Sequence, residues 1–264
     1  MVFGKQVRLA RITKHGRMLC IPMDHSFTVG PISGLENPEE MIVKIAKGGA
    51  TSFLVHKGVI KSLRKPVPIG MIMHISASTS LSLAPNRKML NSSVLEGIRL
   101  GADAISVHVN MGSKEEPEML EQLGMVADQC DEYQMPFIAM MYPRGENIKD
   151  PSDPQVVAHV ARVGAESGAD VVKTVYTGDM ESFKEVVRKC PVPVVLAGGA
   201  KVDTDAAILQ LANDVMEAGA MGVTFGRNVF QHRDPTLIVK ALRRIVIDRS
   251  SVEEAMEVMS AANA

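Results

Sequence analysis

Eight short apolar runs, most of them followed by a longer amphipathic stretch, constrain the fold of this chain more than any other feature. Strands are predicted at 19–24, 51–55, 69–75, 103–109, 136–141, 169–175, 192–197 and 220–226. Helical periodicity fills 38–48, 92–100, 115–134, 153–167, 180–189 and 204–218, and a two-helix tail runs from Pro235 to about 247 and from Val252 to about 261. Near-continuous apolar strands separated by helices imply a parallel sheet covered on both faces. The 264 residues match the roughly 250 of a barrel closed from eight such units. The fold class is therefore read as α/β, a (β/α)8 TIM barrel. It is expected to form a single domain over 1–264, with a short N-terminal extension and no dividing linker. The dipeptide Gly-Ala recurs at 49, 101, 168 and 219, where a left-handed glycine would close a helix ahead of the next strand.

A formal net charge of −1 leaves no electrostatic footprint for a nucleic acid. Cys20, Cys130 and Cys190 form no CxxC pair, so neither a metal clip nor a disulfide framework is expected, and a reducing cytoplasm suits them. Residues 1–8 lack the apolar block of a secretory signal. No apolar stretch approaches the ~20 residues that span a bilayer. A cytoplasmic location without membrane partners follows as the expectation.

Lys173 is a lone cation in the apolar run Ala169-Asp170-Val171-Val172-Lys173-Thr174-Val175. Burial favours the neutral amine of a lysine, and a neutral amine is a nucleophile suited to Schiff-base chemistry. A structural ion pair inside the barrel is the competing reading. Barrel enzymes work at the C-terminal strand ends. There the first strand offers Asp24-His25-Ser26, the fifth Tyr142-Pro143-Arg144, and the sixth Lys173. Nucleophile, carboxylate and phenol together equip an imine-forming lyase. Gly198-Gly199 and Gly226-Arg227 end the seventh and eighth strands, where barrels bind phosphate through backbone N–H groups and helix N-termini. Ordinary strand-to-helix turns would use the same glycines. His25, His56, His74 and His108 fall near strand ends and admit a metal centre, but no H-x-H pair accompanies them. No metal is expected.

Seven blocks carry a resemblance: IPMDHS (21–26), LVHKG (54–58), GADAISVHVN (101–110), IAMMYPRGENI (138–148), GADVVKTVYTGD (168–179), VVLAGGAKVDTD (194–205) and GRNVFQH (226–232). Together the chain resembles the archaeal-type class I aldolases from about residue 5 to residue 260. Within them it is most similar to the branch that makes 2-amino-3,7-dideoxy-D-threo-hept-6-ulosonate, early in an alternative route to aromatic amino acids. The resemblance implies a metal-independent, cofactor-free aldolase or transaldolase. An enamine derived from a keto-sugar phosphate would add to L-aspartate semialdehyde. Lys173 would form the imine, with Tyr142 as proton donor and Asp24 as proton acceptor. His25, Ser26, Phe27, Thr28, Pro143, Arg144, Gly198, Gly199, Gly226 and Arg227 would hold the sugar phosphate. A homo-oligomer is implied too, with a decamer among its forms. Fructose-bisphosphate aldolases of this type carry Trp where this chain has Met140, which favours the heptulosonate branch. That aldolase activity, a sibling joining dihydroxyacetone phosphate to aspartate semialdehyde, and a non-catalytic sugar-phosphate-binding barrel stay open at this point. The loops at 28–36 and 76–92 are expected to decide the donor.

Overall fold

The computed structural model describes residues 3–261; residues 1–2 and 262–264, the ends of the expected 1–264 unit, lie outside the described residues. The strands are β1 (Met18–Pro22), β2 (Ser52–Val55), β3 (Gly70–His74), the two-residue β4 (Ser76–Ala77) and β5 (Met89–Leu90), β6 (Ala104–Met111), β7 (Phe137–Pro143), β8 (Val171–Thr174), β9 (Val194–Ala197) and β10 (Gly222–Thr224). Eight of them close a barrel in the order β1-β10-β9-β8-β7-β6-β3-β2, while β4 and β5 form a separate antiparallel hairpin. The pairings around the barrel are parallel. The (β/α)8 expectation is met strand for strand.

The helices are α1 (Phe3–Ile12), α2 (His25–Val29), α3 (Pro38–Gly48), α4 (Lys57–Ser62), α5 (Val94–Arg99), α6 (Glu116–Glu132), α7 (Pro154–Glu166), α8 (Met180–Lys189), α9 (Asp205–Glu217), α10 (Arg227–Phe230), α11 (Pro235–Val246) and α12 (Val252–Ala261). Their starts are chemically marked. Asn37, Asp153, Asp179, Thr204 and Asp234 each accept a backbone N–H of the following first turn, which satisfies donors the helix cannot. Gly49, Gly101, Gly168 and Gly219 take φ of 91°, 79°, 96° and 87°, so each Gly-Ala does close its helix in the left-handed region. None of the described helices is long and apolar enough to cross a membrane.

Side chains alternate across each strand, and the alternation divides the core in two. Met18, Cys20, Leu54, Ile72, Ala104, Ile138, Met140, Val171 and Val195 form one buried cluster inside the barrel. A larger cluster fills the layer between strands and helices, with Leu19, Phe53, Val172 and Leu196 facing it from the strands. The N-terminal extension proves to be a floor. Ile12 is fully buried within the inner cluster, and a Cβ on Gly70 would lie 2.5 Å from the Arg11 carbonyl oxygen. Lys5 pairs with Asp131 and Asp170, and Asp170 also accepts the Phe137 N–H at 2.8 Å. Truncating a fully buried isoleucine costs about 2–5 kcal/mol. Ile12→Ala should therefore lower the unfolding free energy read from a urea titration by an amount in that range, whereas a loosely attached extension would leave it unmoved.

Candidate active site

Inward alternation carries past the apolar layers to the C-terminal mouth, where it changes chemistry. Val171 is followed two residues later by Lys173, Met140 by Tyr142, and Pro22 by Asp24. Lys173, Tyr142 and Asp24 share one cavity of about 320 Å³ with His25, Thr28, Lys88, His108, Arg144 and the two glycine-bearing strand ends. Met140 pairs with Lys173 across the β7–β8 ladder, which sets Tyr142 one inward position above the lysine and puts the thioether in the cavity wall.

Lys173 is only 4 % exposed. Burial disfavours its ammonium, but Tyr142 and then Asp24 favour it, and the balance holds its pKa above the ordinary lysine value. That direction is opposite to the one burial alone would give the amine. It makes no salt bridge within 4.0 Å among the described residues, so Asp24 acts on it through space. Burial would lift the Asp24 carboxyl, yet positive charge on His74, His25 and Lys173 outweighs it and holds the group below the usual carboxylate range. Burial also pushes the histidines down, His74 to about 3.

The expected phosphate wall is made by the ends of β9 and β10. Gly199 has φ 62° with open space where a Cβ would stand, and a Cβ on Gly226 would lie 2.7 Å from the His25 ring. Arg227 donates from Nη2 to the Gly199 carbonyl at 2.6 Å, while its buried Nε has no partner. An anion in this cup would satisfy it. Asn228 shapes the cup from behind, donating to the carbonyls of Gly198 and Ala200 at 3.2 Å each and accepting from Val202 N–H at 2.8 Å. The helix that starts at this cup, α10, is only four residues long, and α9 begins only at Asp205.

Not every predicted residue reaches the cavity. Helix α2 turns through its 3.6-residue period immediately after Asp24, so His25, Thr28 and Val29 face inward. Ser26 opens instead onto the neighbouring depression beside Gly30 and Glu36, and the Phe27 ring packs on His56 at 4.6 Å. Pro143 ends β7 against Met111. The Gly30–Gly34 turn is pinned, since a Cβ on Gly34 would lie 1.9 Å from the Phe230 carbonyl oxygen. The unassigned histidines are engaged. His56 Nδ1 lies 3.1 Å from the His74 carbonyl oxygen, His74 Nδ1 lies 2.8 Å from Ser106 Oγ, and His108 Nε2 lies 2.7 Å from Asn110 Oδ1.

Sequence reasoning missed Lys88. The loop that carries it lies between β3 and β6 and folds back as the β4–β5 hairpin. Its periodicity is nil, and only tertiary contacts turn the side chain inward. Asn110 donates to the Asn86 carbonyl at 2.8 Å, Ser76 Oγ accepts the His108 N–H at 2.9 Å, and Gln122 Oε1 accepts the Leu90 N–H at 2.9 Å.

Comparison with known proteins agrees with this geometry. The model of the DeoC/LacD family aldolases matches residues 18–232. The chain is 43% identical to a 2-amino-3,7-dideoxy-D-threo-hept-6-ulosonate synthase of Archaeoglobus fulgidus, over 97% of this chain and 96% of the relative. It is 41% identical to a 2-amino-4,5-dihydroxy-6-oxo-7-(phosphonooxy)heptanoate synthase of Streptomyces griseus, over 92% of this chain and 90% of the relative. The fold superposes with TM-score 0.86 and 29% identity on an archaeal fructose-1,6-bisphosphate aldolase whose catalytic lysine is covalently bound to the carbinolamine intermediate of its substrate, covering 92% of this chain and 99% of the other. With most of its length matched and full-length relatives at this identity, the chain belongs to the DeoC/LacD family of aldolases.

Proposed function

We propose that the chain is a Schiff-base aldolase acting as a transaldolase: it joins an enamine made from a keto-sugar phosphate to L-aspartate semialdehyde and forms 2-amino-3,7-dideoxy-D-threo-hept-6-ulosonate. The observation that carries this reading is Lys173, buried inside the barrel mouth beside Tyr142 and Asp24 and sharing one cavity with the Arg227 cup. Both synthase relatives are named for products with a 2-amino-heptanoate skeleton and an oxo group at carbon six, the pattern expected when a ketose-derived enamine adds to an amino-acid aldehyde.

The steps follow from what each group can do. Lys173 gives up a proton and its amine attacks the keto carbon; the carbonyl oxygen leaves as water and an iminium remains. A carboxylate at Asp24 takes the proton of the β-hydroxyl as the carbon–carbon bond breaks. An aldehyde that carries the phosphate departs, and the electron pair moves into the iminium to give a phosphate-free enamine. The enamine carbon then attacks the aldehyde carbon of aspartate semialdehyde, and Tyr142 protonates the new alkoxide. Water hydrolyses the second iminium and returns the lysine. The iminium serves as the electron sink throughout, and the Arg227 cup holds the donor's phosphate until that aldehyde leaves.

Three free, buried thiols support a reading of the enzyme as cytoplasmic. The resemblance supports a homo-oligomer, and Leu81 and Leu83, fully exposed on the 76–92 loop, are apolar surface that an assembly would cover.

Borohydride added with keto-sugar phosphate should inactivate the protein and leave a mass adduct on Lys173; an unmodified lysine would refute the imine. Tyr142→Phe should retain the adduct while turnover falls about a hundredfold or more, read by stopped assay of product. In Asp24→Asn a negative charge that favours the ammonium is lost, so the lysine pKa drops. Its single-turnover trapping profile should shift to lower pH, while steady-state turnover falls.

A further inference from the structure

The barrel order places the β9–β10 rim directly across the mouth from the β6–β3 rim, with two strands between them on either side, β8 and β7 one way and β1 and β2 the other. Arg227 stands on the first rim. Lys88 stands on the second, in the connection between β3 and β6, and both line the same cavity with Lys173. Lys88 is 6 % exposed, and burying an ammonium without a counter-ion is costly. Among the described residues it makes no salt bridge within 4.0 Å; its Nζ donates at 2.6 Å to Ser78 Oγ, a neutral hydroxyl that itself donates to the Pro85 carbonyl. An ammonium has three N–H groups, so two are left for the cavity. Arg144 lies on the β7 side of this rim, with its guanidinium 5.6 Å from the Tyr142 ring centroid, and it too makes no salt bridge among the described residues. The charges of Lys88 and Arg144 repel one another: together with burial, Arg144 brings the Lys88 pKa down to about 8, against a smaller opposing pull from Asp24.

Resting on the transaldolase reading, we propose that Lys88, seconded by Arg144, is the acceptor-specificity determinant: it binds the carboxylate of the incoming aldehyde at the rim opposite the phosphate cup. Two cations that line one cavity with no carboxylate within salt-bridge distance of either leave a place for an anion between them. A carboxylate matches the two open N–H groups of Lys88, and the guanidinium can take its second oxygen. The cup across the mouth, with its glycine backbone and the unpartnered Arg227 Nε, suits a phosphate. The cavity thus recognises an aldol product that is anionic at the end remote from the cup, and an uncharged aldehyde gains nothing from Lys88.

The test is a discrimination ratio. With keto-sugar phosphate held saturating, kcat/KM is measured for aspartate semialdehyde and for butanal, an uncharged aldehyde of the same carbon count. Effects on the donor cancel in this ratio. In Lys88→Met the ratio should fall tenfold or more, and Lys88→Arg, which keeps the charge, should recover a good part of it. The pH profile supplies a second reading. Because loss of the ammonium removes the attraction, KM for aspartate semialdehyde should climb above pH 8 in the wild type and stay flat in Lys88→Met. An unchanged ratio in Lys88→Met overturns the proposal. So does loss of discrimination in Arg227→Met with discrimination kept in Lys88→Met, which would seat the carboxylate in the phosphate cup. A rise confined to the KM of the keto-sugar phosphate also overturns it, assigning Lys88 to the donor. Failure of the wild type to form a borohydride adduct on Lys173 would sink the underlying transaldolase reading instead, and that experiment contains no acceptor.

Discussion

A positive charge held inside the barrel mouth, without a carboxylate in contact, is the constraint around which the site is organised. Water cannot stabilise the Lys173 ammonium at 4 % exposure, so Tyr142 and Asp24 must, and their combined effect exceeds the cost of burial. A raised lysine pKa looks unfavourable for a nucleophile, since the amine has to shed a proton before it attacks. The chemistry reverses that judgement one step later. The iminium carries its positive charge within about a bond length of the ammonium it replaces, so an arrangement of groups that favours one favours the other. Stabilisation of a charge-bearing intermediate by dipoles and charges already in place is where such sites gain most. On the proposed mechanism, the field that makes the free lysine a reluctant nucleophile would also favour the iminium formed on it.

Separation of Asp24 from Lys173 belongs to the same logic. A contact ion pair would fix the ammonium and block the substrate carbonyl, and a carboxylate in contact costs its own desolvation. Acting through space, Asp24 biases the protonation state and leaves the amine face open. The barrel supplies this spacing. Lys173 lies on β8, with Tyr142 on the adjoining β7 and Asp24 just beyond β1, three positions away around the ring. Carboxylate and phenol thus flank the lysine from different sides.

Much of this was legible from strand alternation. Once Val171 is inside, Lys173 must be; the same step of two takes Ile138 through Met140 to Tyr142, and Cys20 through Pro22 to Asp24. The glycines of the phosphate wall were legible because β9 and β10 both end in them. Where the backbone leaves the strand period, legibility fails. Ser26 and Phe27 adjoin Asp24 in sequence, but α2 begins between them and rotates both away from the cavity. Lys88 was invisible for a further reason. Its loop has neither period, and its inward aim depends on Asn110, His108 and Gln122, which bond from elsewhere in the chain to Asn86, Ser76 and Leu90 of the loop. The floor helix α1 escaped as well: FGKQVRLARI shows a charged face, and the cavity that its Ile12 plugs exists only after eight distant strands have closed.

The buried histidines complete the electrostatic argument by remaining neutral. His74 sits at about 3 and His108 well below its ordinary value, both chiefly through burial. Protonated, His74 would become the strongest partner of Asp24 and draw its field away from the lysine. Nearby positive charge of that kind opposes the ammonium and equally the iminium. Neutral imidazoles avoid this conflict and still offer hydrogen bonds, as His108 does to Asn110, whose amide in turn holds the Lys88 loop through Asn86. The same desolvation that makes the lysine depend on Asp24 keeps the histidines from competing for it, so a drier mouth tightens both effects together.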